Sequence, residues 1–155
     1  MATPQFGEPQ PGRDYPDRPA AFAVIACGGE VALVRVDDRA GRGPVLDLPG
    51  GGLDPGESAR DAAAREVGEE AGLAVELEPE PFAAADHYFI AAVGRSVNTR
   101  GVFFAGRVTA EAPQLKVEDD HTLLWMSPQA ALVALDRDSH AWAVAAWLRR
   151  LHRQA

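Results

Sequence analysis

A single cysteine, Cys27, is all that this 155-residue chain contains, so no intrachain disulfide can form and a reducing, cytoplasmic setting is expected. At the end of an apolar segment, Cys27 reads as a small buried residue rather than a nucleophile. Long hydrophobic runs are missing too. Ala20–Cys27 has eight residues and no wholly apolar run is longer, far short of a bilayer span. No basic stretch precedes that run, so neither a secretory leader nor a membrane partner is expected. Basic charge is scarce: 15 Lys and Arg stand against 23 Asp and Glu, a net charge of −8. That balance leaves no cationic stripe for extended nucleic acid, and it disfavours a hydrolase of RNA 5′ ends. It does not exclude a nucleotide-sized ligand, whose phosphates metal ions can neutralise locally.

What remains is enough for one domain, since 46% hydrophobic positions over this length supply a core. Pro4, Pro9, Pro11, Pro16 and Pro19 mark residues 1–19 as a flexible or extended arm that docks on the surface, leaving 20–155 as the folded domain. Ala21–Cys27 and Glu30–Val36 read as a β-hairpin across Gly28-Gly29. The apolar run Val31–Val34 suggests a strand covered on both faces. Asp37–Gly43 reads as a loop, Val45–Leu48 and Ala74–Leu77 as short strands. Ala85–Val93 and Gly101–Val108 read as strands joined by a polar loop, Gly94–Arg100. A further strand is expected at Thr122–Met126. A helix should start at Ser127-Pro128 and run to Leu135, and a last one, capped by Asp138 or Ser139, to about His152. Strands and helices interleave without strict alternation, which predicts an α/β fold with a central mixed β-sheet between helices. Trp125, Trp142 and Trp147 are open to two readings, core residues or part of a homodimer surface.

The centre of interest is Gly51–Leu73, GGLDPGESARDAAAREVGEEAGL. Ser58 and Asp61 predict a capped helix start, Ala59, Ala63 and Val67 its buried stripe, and Gly72 its left-handed stop. Glu66, Glu69 and Glu70 crowd one turn of the opposite face, where like charges repel. A hard cation relieves such crowding; Mg²⁺ takes oxygen ligands and keeps open positions for substrate phosphates. The glycine turn just upstream lets backbone approach a phosphate closely.

This stretch resembles the Nudix box, G-x5-E-x7-R-E-U-x-E-E-x-G-U with U aliphatic. Gly51, Glu57, Arg65, Glu66, Val67, Glu69, Glu70, Gly72 and Leu73 fill every specified position, and Leu48-Pro49-Gly50 resembles the usual lead-in. The resemblance implies a Nudix-type α/β/α sandwich and a Mg²⁺-dependent pyrophosphohydrolase, with Mn²⁺ able to substitute. Its substrate would be a nucleoside triphosphate, a nucleotide sugar or a dinucleotide polyphosphate, cleaved by water attack at phosphorus. Carried over by box position, Glu66, Glu69 and Glu70 would be metal ligands, helped by the carbonyl of Gly50. Glu66, Glu69 and Arg65 are the catalytic candidates, with Arg65 orienting a glutamate. Glu57 would tie the glycine loop to the helix, one step removed from the metal. The general base stays open between Glu66 and the later acids Glu118, Asp119 and Asp120. For substrate contact the candidates are Tyr88 and Arg100; Tyr15 and Arg18 in the arm could fold over a ligand. Gly68, at a free box position inside the helix, should cost about 1 kcal/mol relative to alanine. The motifs of coenzyme A and ADP-ribose pyrophosphatases are absent. The competing expectation is a catalytically silent Nudix-fold module that binds or senses a nucleotide.

Overall fold

Two adjoining runs rich in Val, Ile and Phe form the middle of the sheet, β2 (Asp17–Cys27) and β3 (Glu30–Val36). Gly28 and Gly29 between them both have positive φ, 59° and 80°, which suits a two-residue hairpin turn. In the computed structural model of the chain, residues 2–37, 43–90 and 94–155 are described. The rest of the sheet comprises β1 (Gln5–Phe6), β4 (Val45–Asp47), β5 (Gly50–Gly52), β6 (Leu73–Leu77), β7 (Ala83–Ile90), β8 (Ser96–Glu111) and β9 (His121–Met126). The helices are α1 (Ala59–Ala71), α2 (Pro128–Ala134) and α3 (Asp138–Gln154). The described strands join in one nine-stranded sheet ordered β1-β7-β8-β2-β3-β4, with β5 on β2, β6 on β8 and β9 on β3. It is mixed: β2 runs parallel to β8 and β1 to β7, and the other pairs are antiparallel.

The period of two in β2 sorts the core into two layers. Ala20, Phe22 and Val24 face α2 and α3, packing with Leu33, Phe103 and Trp147. Ala21, Ala23 and Ile25 face α1 and pack with Val34, Val67 and Phe104. Val31 to Val34 are wholly buried, as a strand covered on both faces requires. The result is the expected α/β/α sandwich. Trp147 is in the core, and Trp125 and Trp142 are partly buried against it. Among the described residues no helix is long and apolar enough to cross a membrane.

Several local readings change. The polar stretch Gly94–Arg100, read as a loop, enters the sheet at Ser96, with Val97 and Thr99 buried. The proline-rich segment is extended but not loose. Gln5–Phe6 pairs with β7, Arg13 Nη1 donates to the Gly94 carbonyl at 2.8 Å, and β2 begins at Asp17. The two corrections have one cause. Gln5 and Asp17 make side-chain hydrogen bonds to Asn98, so the arm satisfies polar groups that would otherwise need solvent. Cys27 is exposed, because it sits at the strand end beside the turn. Neither Asp138 nor Ser139 caps α3: its N-cap is Arg137, and Ser139 Oγ instead meets His87 Nδ1 at 2.8 Å. Gly50–Gly52 is a short strand rather than a turn. Residues 38–42 of the expected loop and 91–93 of the expected strand lie outside the described residues.

Candidate active site

Helix α1 begins as its sequence dictates. Ser58 Oγ accepts from the Asp61 N–H at 3.1 Å, and the helix ends on Gly72 with φ 68°. Ala62, Ala63 and Val67 are fully buried, so small side chains let the helix lie close to the sheet. Gly68 has a packing role, since a Cβ there would come within 3.2 Å of Leu115. Seating that face fixes the opposite one, which carries Arg65, Glu66, Glu69 and Glu70 towards β5.

Arg65 gathers the acids. Its Nε meets Glu57 Oε2 at 2.8 Å, Nη1 meets Glu69 at 3.0 Å and Glu66 at 3.2 Å, and Nη2 donates to the Gly52 carbonyl at 3.2 Å. The hydrogen bond from Arg65, helped by the Asp54 N–H, holds Glu57 down near about 2. Glu57 thus links loop and helix, as the box position implies. Glu70 is almost fully buried. Its Oε1 accepts from Gly50 N–H at 2.7 Å and its Oε2 meets His121 Nε2 at 2.7 Å, while His121 Nδ1 meets Asp120 at 2.9 Å. Burial pushes Glu70 up against those hydrogen bonds, and contact with Glu70 lifts His121 to about 9. Burial, reinforced by Glu70, lifts Glu66 to about 7.

Glu66, Glu70, Glu118 and His121 share one cavity of about 260 Å³ with Gly50, Gly51 and Gly52. Its other walls hold Arg18, Asp47, Phe89, Thr99 and Arg137. Glu69 stays outside with Arg65, and among the later acids Asp119 is exposed and Asp120 turns to His121. Tyr88 and Arg100 do not line the cavity. Tyr88 packs edge-on against Tyr15 with ring centroids 5.2 Å apart, and Arg100 is paired to Asp17 and Asp86, each at 2.9 Å. Their neighbours Phe89 and Thr99 face the cavity instead, as alternation along β7 and β8 demands.

The residues fit a divalent cation. The donors of Glu66 and Glu70 are hard oxygens, and Gly51 leaves room for one of them: a Cβ there would stand 2.9 Å from Glu66 Oε1. Each oxygen of Glu70 keeps a second lone pair beyond its present partner. Glu118, Asp120 and His121 form an adjoining group whose ligand atoms lie within 4.8 Å of one another, also able to hold a metal.

Three residues at or behind the wall carry no motif: Asp47 and Arg137 line it, and His140 supports it. His140, wholly buried between Phe22 and Phe103, accepts from the Leu48 N–H at 3.1 Å and so fixes the lead-in to β5. Burial, with Arg137 nearby, keeps it neutral. Asp47 Oδ1 lies 3.3 Å from Arg137 Nε but too poorly aligned for a hydrogen bond, and burial raises this carboxyl. Arg137 also sits 4.0 Å above the Phe89 ring.

These shifts fix a pH dependence. A group whose folded pKa is raised gives stability that is lost as pH climbs through that value. Glu66 acts from about 4.5 to about 7 and His121 from about 6.5 to about 9. Glu57, shifted down, acts only below about 4.5. Buried His87 and His140, shifted down, favour a rise only up to about 6.5, so the Tm of metal-free protein in chelator should fall by roughly 5 °C or more between pH 7 and pH 9. Added Mg²⁺ should flatten the fall, because metal binds the deprotonated carboxylates. Melting curves across that range check both; a rising Tm in chelator would contradict them.

Fold and site together define a hydrolase of phosphoric anhydrides. The NUDIX domain family model matches residues 16–148, and the chain belongs to that family. It is similar to the MutT protein from Methanosarcina mazei Go1 (25% identity, 90% of this chain and 98% of that one, TM-score 0.68). A NUDIX hydrolase from Nitrosomonas europaea shares the fold at 24% identity (86% and 89% covered, TM-score 0.67). So does an ADP-ribose pyrophosphatase from Streptococcus suis 89-1591 at 21% identity (72% and 75%, TM-score 0.53). Among curated proteins none matches the chain.

Proposed function

We propose that the protein is a Mg²⁺-dependent pyrophosphohydrolase of small nucleoside diphosphate derivatives, working in the cytoplasm. The observation that carries the reading is the convergence of Glu66, Glu70 and Glu118 on one cavity that also presents two arginines. Glu66 and Glu70 would hold the metal, with Gly50 beside them and Glu69 acting from behind through Arg65. When bound, the metal neutralises phosphate charge and polarises the diphosphate.

Arg65 keeps three glutamates in register, so none can swing into the phosphate path. Of the acids considered as general base, Glu66 and Glu118 line the cavity and Asp119 and Asp120 do not. The Glu118 side chain carries no hydrogen bond among the described residues, whereas Glu66 is engaged by Arg65. Glu118 is thus the group to take the proton from water as its oxygen bonds to phosphorus. The anhydride P–O bond breaks, and the leaving phosphate departs with the electron pair.

The test is product release from nucleoside triphosphates, nucleotide sugars and dinucleotide polyphosphates in Mg²⁺, in Mn²⁺ and in chelator. Cleavage of one class with metal, and none with chelator, is expected. Binding without turnover across the panel would instead mark a sensing module.

A further inference from the structure

Consecutive residues of β5 face opposite sides, and both sides are shaped by missing side chains. At Gly51 the space of a Cβ is taken by the Glu66 carboxylate; at Gly52 it is taken by the Arg18 guanidinium, with Nη2 2.7 Å from where the Cβ would stand. Gly51 pairs with Ala21, of the α1 layer, and Gly52 with Ala20, of the α2–α3 layer. The cavity spans this strand, because both Glu66 and Arg18 line it. Arg18 is exposed, and among the described residues no hydrogen bond or ion pair engages its guanidinium. The neighbouring cations differ: Arg137 lies beside Asp47, Arg65 holds three glutamates, and Arg100 holds two aspartates. A guanidinium left unpaired on a cavity wall, with its five donors, suits an oxyanion.

We infer that Arg18 is a substrate-positioning residue that grips a phosphate of the substrate on the side of β5 away from Glu66. The inference deepens the hydrolase reading and rests on it for the identity of the anion. The phosphates would straddle the glycine strand, carboxylates and metal at one end and Arg18 at the other. The absence of a side chain at Gly52 then has a purpose, since a methyl group there would displace the guanidinium without altering its charge.

The test is calorimetric titration with methylenediphosphonate in Mg²⁺, a diphosphate that no hydrolase can cleave and that carries no base. Wild type should bind it, and Arg18→Ala should weaken binding on the order of 10- to 100-fold, the loss of a charged hydrogen bond or two. Arg18→Lys should recover part of that loss, as a point charge without the fork. Gly52→Ala should weaken binding too, and in the Arg18→Ala background it should add less than about twofold, as expected when both act on one contact. No binding by wild type, full affinity in Arg18→Ala, or additive effects of the two changes would each overturn the inference. Failure of the hydrolase reading looks different: no turnover, with the Arg18 dependence of binding intact. Among the described residues the Arg18 guanidinium has no hydrogen bond or ion pair to lose, so the variant should keep the wild-type Tm.

Discussion

Replacing Glu70 by glutamine is expected to lower kcat/KM by about three orders of magnitude, the scale of several kcal/mol of charge stabilisation at phosphorus. Above about pH 9, where His121 no longer carries the charge that Glu70 holds, the same change should leave Tm unchanged or raise it. Glu70 is nearly buried, and burial pushes its carboxyl towards the neutral form, so the fold bears a cost for the charge. Glutamine keeps an oxygen to accept the Gly50 N–H, whose present distance to Glu70 is 2.7 Å. Stability and activity thus separate at one residue, as they do where a site is held against the preferences of the core. Steady-state kinetics beside thermal melts check this. Activity within tenfold of wild type would remove Glu70 from the chemistry, and a collapsed Tm would make its contact with His121 structural.

The second large effect is on folding. Gly50 has φ 150°, and a Cβ there would lie 2.3 Å from the Ala21 carbonyl oxygen and 2.5 Å from Phe22 Cδ1. The carbonyl belongs to the β2 backbone and cannot retreat without opening the β2–β5 pairing. Gly50→Ala should cost about 3–5 kcal/mol, combining backbone strain with overpacking, and lower Tm by roughly 10 °C. Gly51→Ala is the control. The three atoms nearest its Cβ would all belong to the Glu66 side chain, Oε1 at 2.9 Å, so the fold should tolerate it while activity falls as Glu66 is displaced. Urea melts of both variants decide; equal stability for the two would refute the packing argument.

Local rules made α1 legible. A serine cap, a stripe of alanines and valine, and a terminal glycine act within a few residues of one another, and the structure places each where they require. The glutamate cluster was legible for the same reason. The partners of that cluster were not. His121 meets Glu70 across 51 positions of sequence, and His140 meets Leu48 across 92, with no spacing rule to join them. At Tyr88 and Phe89 the strand was clear but its face was not, because both sides of β7 carry apolar residues and a one-residue choice reverses inside and outside. Gly94–Arg100 read as a loop because its polarity was judged without the arm, whose Gln5 and Asp17 satisfy Asn98. Arg18 was noticed only as part of that arm; its significance depends on Gly52, which chain folding brings beneath it.

The most direct test of the central claim is hydrolysis of the cleaved substrate in heavy-oxygen water with Mg²⁺, the products weighed by mass spectrometry. Attack at phosphorus predicts one heavy oxygen in a single phosphate-bearing product, released about a thousandfold more slowly by Glu70→Gln under the same conditions. Products free of label in their phosphates, or equal turnover in chelator, would contradict a metal-dependent pyrophosphohydrolase built on Glu66, Glu70 and Glu118.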